Sequence, residues 1–153
     1  MRMRFMLLII ASLFALSACD RTAVYSRYRD VSPRGWMRSD TLRFRHSHTA
    51  PAGTYTEAVC LRVGRDYPFS DVTLIVEQST QTRRIQRTDT LHCVLADQGQ
   101  WQGEAGVSYL QYRFSLADIS LSPGDTLRLA VRHGMRHEPL HGIADVGIEI
   151  NRR

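Results

Sequence analysis

The run His137-Glu138-Pro139-Leu140-His141 spells the H-E-x-x-H of zinc peptidases. That chemistry needs two histidines one helical turn apart on one face, with a glutamate placed to deprotonate a zinc-bound water. Pro139 lies between the two ligands and is tolerated only in a helix's first turn, and Gly142 follows at once as a terminator. A third histidine in the metzincin position would fall on residue 147, which is glycine. The stretch is therefore expected to be a polar loop between two strands. His46 and His48 share a face if their segment is extended, a spacing that suits a metal, although histidines at an exposed strand end are the commoner case. Six histidines and the thiols Cys60 and Cys93 do not by themselves define a site, and there is no Gly-rich phosphate loop, nucleophile elbow or EF-hand pattern. No catalytic, cofactor-binding or metal-binding residue is expected, and the chain reads as non-enzymatic.

The rings Trp36, Trp101, Tyr25, Tyr28, Tyr67 and Tyr112 are material for an aromatic platform on which a sugar stacks. The competing expectation is that Trp36 and Trp101, both near turns, close the ends of a core, and that Tyr25 and Tyr28 rest at a membrane surface.

The elements that would position these groups begin with a leader. Arg2 and Arg4 precede an apolar run from Phe5 to Leu16, followed by the small residues Ser17 and Ala18 and then Cys19. This is the pattern of a secretory signal peptide, removed after residue 18. Its apolar run is shorter than the roughly 20 residues a membrane-spanning helix needs. Leu16-Ser17-Ala18-Cys19 is similar to the bacterial lipobox, which makes Cys19 the expected lipid attachment site and the lipid (diacylglyceryl and palmitate) the expected link to a membrane. Each buried CH₂ contributes roughly 0.8 kcal/mol, so several acyl chains on one cysteine hold a protein to its bilayer durably.

Beyond the leader the chain is the size of one domain. The formal charge of the whole chain is +5, and every basic residue is arginine, scattered without the clustering and aromatic interleaving of a nucleic-acid surface. No nucleic-acid partner is expected. Residues 19–40, broken by Pro33 and Gly35, read as the lipidated N-terminus and a tether. Seven runs with period-two alternation come next: 41–45, 55–63, 72–78, 85–95, 109–116, 126–133 and 145–150. Turn chemistry separates them, as at Pro51-Ala52-Gly53 and Ser122-Pro123-Gly124-Asp125. Residues 41–153 should thus form an all-β antiparallel sandwich, jelly-roll or Ig-like, of about seven strands. Within it, parity turns Cys60 away from the side of Val59, Leu61 and Val63 and turns Cys93 inward, which argues against a disulfide between them.

Several segments carry a family resemblance: Val24-Tyr25, Gly35-Trp36, Arg65-Asp66-Tyr67-Pro68-Phe69, residues 88–97 and 99–103, His133-Gly134-Met135-Arg136, and Leu140-His141-Gly142-Ile143-Ala144-Asp145 continuing to Ile150. Together, in this order, they resemble the gliding motility-associated lipoproteins of Bacteroidota called GldH. The resemblance implies a lipid-anchored β-sandwich of the cell envelope, expected at the outer membrane on its periplasmic side or at the cell surface. It further implies an accessory or assembly role beside envelope protein partners of the gliding and associated secretion machinery, and it brings no catalytic residues. The alternative is a surface lipoprotein that binds carbohydrate through its aromatics.

Overall fold

A computed structural model describes residues 23–81 and 86–153; the leader and Cys19 lie outside the described residues. The strands in chain order are β1 (Ala23–Asp30), β2 (Leu42–Ser47), β3 (Gly53–Gly64), β4 (Asp71–Thr80), β5 (Gln86–Val94) and three two-residue strands, β6 (Ala96–Asp97), β7 (Gln100–Trp101) and β8 (Glu104–Ala105). They continue with β9 (Tyr109–Ser115), β10 (Ile119–Leu121), β11 (Thr126–His133) and β12 (Ile143–Arg152). Among the described residues there is no helix, and every pairing is antiparallel.

One sheet runs β1-β12-β3-β9-β8, with β10 also pairing β3, and the other runs β2-β11-β4-β5. Alternation accounts for how they close. Val59, Leu61 and Val63 of β3 lie opposite Phe114, Tyr112 and Leu110 of β9, while Val72, Leu74 and Val76 of β4 point into the same interior from the second sheet. Ile148, Val146, Leu127, Leu129 and Val131 complete it. Each such aliphatic side chain, fully buried, contributes roughly 1.5–3 kcal/mol. The all-β antiparallel sandwich expected from the alternation is the fold observed.

The tether reading of residues 19–40 needs correction from residue 23 onward. Ala23–Asp30 is a strand, in register with β12 from Ala23↔Asn151 to Asp30↔Asp145. Its alternation is masked because the inward positions, opposite Ile148 and Val146, are Arg27 and Arg29. Inward-pointing charge is how an exposed edge strand avoids pairing with another chain. Arg29 reaches over the Phe44 ring, its guanidinium 5.8 Å from the centroid, so its stem covers the core while its charge stays wet. The strand count also exceeds seven, since β6, β7, β8 and β10 are too short to show a period.

Both cysteines are free and buried. Cys93 points into the core, and Cys60 lies on the far face of its sheet, as parity required. Tyr28 lies across Gly147, which faces Cys60 on the neighbouring strand, and a Cβ on residue 147 would come within 2.6 Å of that ring. Burial raises the Cys60 thiol to about 11 and the Cys93 thiol to about 12, so both stay protonated and unreactive at neutral pH.

Candidate functional site

The register fixes which loops share an end. Asp30 meets Asp145, Val63 meets Ile143 and Gly64 meets Tyr109, so the segments 31–41, 65–70, 95–108 and 134–142 gather at the end opposite Ala23. Trp36 ties this end together. It is buried, its indole Nε1 donates to the Asp40 carbonyl at 2.7 Å, and its backbone exchanges two 2.8 Å hydrogen bonds with Leu140. His133 packs edge-on against the indole at 5.3 Å, with Nε2 3.0 Å from the Trp36 carbonyl. Burial holds the His133 ring below the usual imidazole range. Trp36 therefore closes the core, and Trp101 packs, partly buried, against it.

A cleft of about 380 Å³ opens beside this closure. Leu140, Ile143 and Val31 form its apolar part, and Asp30, Asp66, Asp145, His141, Ser32 and Tyr109 supply polar groups and one ring. Glycine makes the close approaches possible. Gly142 has φ +92°, and a Cβ there would stand 2.9 Å from the Tyr67 backbone; a Cβ on Gly64 would collide with the Asp66 carboxylate. Burial raises the Asp145 carboxyl, and a hydrogen bond with Asp30 adds to that, against the Arg62 guanidinium 3.4 Å away. The carboxylate of Asp66, the hydroxyl of Tyr109 and the ring nitrogens of His141 have no hydrogen-bond or ionic partner among the described residues. Tyr109 is 41 % exposed, and Val107 on the same loop is fully exposed.

The H-E-x-x-H run is a loop, and its Glu138–Pro139 peptide is cis. His137 stacks on Phe69 at 5.0 Å, Glu138 accepts from the Arg38 backbone N–H at 2.6 Å, and His141 lies beside Gly35. The peptidase arrangement is absent, and no group of three or more His, Cys, Asp or Glu that could hold a metal occurs among the described residues.

Elsewhere the exposed-histidine expectation is wrong. His46 and His48 are buried, with Nε2 of the first 3.2 Å from Nδ1 of the second, between the rings of Tyr25 and Tyr55. Tyr25 packs on His46 at 5.0 Å, and the Arg62 guanidinium lies 4.4 Å above Tyr28. Tyr67 and Tyr112 are buried, their hydroxyls donating to the carbonyls of Asp71 and Leu95. Trp36, Tyr67 and Tyr112 are thus taken up by the core. No single residue type marks Tyr109 in the sequence; only its place opposite Gly64 puts it in a cleft.

The described residues thus form a two-sheet sandwich with a loop-built cleft at one end. The family model for the GldH lipoprotein matches residues 23–150, and the chain belongs to that family. A curated relative, "Gliding motility lipoprotein GldH homolog" of Christiangramia forsetii, is 23 % identical over 155 residues, spanning 94 % of this chain and 92 % of the relative. Among solved structures, a family 35 carbohydrate binding module from Clostridium thermocellum is similar with a TM-score of 0.41 and 13 % identity, over 85 % of this chain and 90 % of that one. Dimeric latent PorU from Porphyromonas gingivalis is similar with a TM-score of 0.35 and 11 % identity, over 86 % of this chain and 13 % of that one.

Proposed function

We propose that this chain is exported on residues 1–18, acylated at Cys19, and serves without catalysis as an accessory or assembly component of the gliding motility and associated secretion machinery. Family membership motivates the reading, and one geometric observation carries it. Ala23 opens β1 at the end of the sandwich opposite the loop-built cleft, and only residues 20–22 separate it from Cys19. Such a connection reaches at most about 14 Å. A lipid on Cys19 therefore holds the Ala23 end at the bilayer and turns the loop end toward envelope proteins. The loop end offers them Trp36-braced loops, the exposed Val107 and Met37, and the cleft.

Mass spectrometry of the mature protein, paired with repeated pull-downs from membranes, tests this. The expected result is a polypeptide beginning at a triacylated or diacylated Cys19 that recovers the same envelope proteins each time. An unmodified amino end, or no recurrent envelope partner, would contradict it.

A further inference from the structure

We infer that the cleft between Tyr109, Asp66, His141 and the Asp30–Asp145 pair is a binding site for a neutral sugar unit. This goes beyond the accessory role and does not depend on it, because a partner protein needs only the surrounding loops.

Three solvent-facing polar side chains of the cleft lack a protein partner among the described residues. Several polar groups nearby are bonded within the protein: Trp36 Nε1 to Asp40, His133 Nε2 to Trp36, Tyr112 to Leu95. The Asp66 carboxylate, the Tyr109 hydroxyl and the His141 ring nitrogens are not, and all three border one space of about 380 Å³. That lies at the small end of the range for ligand pockets. The half-exposed ring of Tyr109 offers a surface for C–H groups. The carboxylates accept, the phenol donates or accepts, and an imidazole does both. A molecule with an apolar face and a rim of hydroxyls, each donor and acceptor at once, satisfies all of them; a pyranose has that form.

A cationic side chain matches the site less well. Arg62 already lies 3.4 Å from Asp145, and Asp30 is hydrogen-bonded to the same carboxyl, so the negative charge available to an incoming cation is reduced. An anionic sugar would meet the Asp66 carboxylate and the Asp30–Asp145 pair, which disfavours uronic and sialic acids.

The test uses the mature lipoprotein in detergent on an array of glucose-, galactose-, mannose- and N-acetylhexosamine-terminated oligosaccharides, sialylated glycans and an arginine-rich peptide, followed by calorimetry on the strongest hit. Selective retention of neutral oligosaccharides is expected, with affinity falling about tenfold in Tyr109→Ala and in Asp66→Asn at an unchanged melting temperature. Arg113→Ala, farther along β9 and outside the cleft, should leave binding as it was. The wild-type protein supplies a readout that no substitution can spoil: the ring resonances of His141 should shift on adding the sugar. No retention of neutral sugars, preference for sialylated glycans or the arginine peptide, binding indifferent to Tyr109 and Asp66, or a His141 signal that stays still would each overturn the assignment.

Discussion

At the end where β1 begins, Glu57, Gln78 and Arg87 turn inward and bond to one another. Glu57 is fully buried and accepts two hydrogen bonds from Gln78 Nε2, at 2.8 and 2.7 Å, across the gap between the sheets. Arg87 of the edge strand β5 donates to Gln78 Oε1 and to the Ala117 carbonyl and pairs with Asp89 at 2.7 Å. At the opposite end, Asp66, His141 and Tyr109 border an open cleft with their polar atoms unengaged. Inward groups bonded across the gap specify how two sheets register; outward, solvent-facing ones without a protein partner are available to something else. The difference separates a structural end from a binding end, by what each polar atom touches.

Breaking the brace of the binding end should have the largest effect. Trp36→Ala removes a buried indole, and a loss of about 3–5 kcal/mol is expected in denaturant unfolding. Gly142→Ala comes next, at about 2–3 kcal/mol, because the new Cβ meets the Tyr67 backbone in a left-handed conformation.

Glu57→Gln sharpens the contrast from the other side. Burial raises the Glu57 carboxyl from 4.5 to about 7, so the folded protein holds a proton that the unfolded chain releases, and this group's contribution to stability falls as pH rises from about 4.5 to 7. His46 and His133 work in the opposite direction. Burial lowers both rings, so their contribution is lost as pH falls below about 6.5. In Glu57→Gln the first slope vanishes and the histidine slope stands alone. Unfolding free energy from denaturant titration, followed from pH 8 to 5, should fall more steeply in the variant than in the wild type, by an amount on the order of 1–3 kcal/mol. Parallel curves would mean that Glu57 is ionised throughout. Smallest of all, Tyr109→Ala should change stability by no more than about 0.5 kcal/mol, since half-exposed Tyr109 has no hydrogen-bond partner among the described residues.

Much of the sandwich was legible in the chain. Where one face is buried and the other wet, as along β4 and β11, alternation marks strand and facing together. It failed at β1, where arginines occupy the inward positions, and at β10, where three residues are too few for a period. The burial of His46 and His48 was hidden for a related reason: they take inward places usually held by aliphatics, and the rings of Tyr25 and Tyr55 that shelter them come from other strands. The cleft was least legible. Asp30, Asp66, Tyr109 and His141 come from four separate segments, and only the pairing of β1 with β12 and of β3 with β9 brings them together.

The most direct test of the orientation is site-specific photocrosslinking in intact cells from two exposed positions, Gln98 at the loop end and Ala52 at the Ala23 end. The account predicts discrete envelope-protein adducts from Gln98 and lipid adducts from Ala52. Protein adducts from Ala52 with none from Gln98 would contradict it.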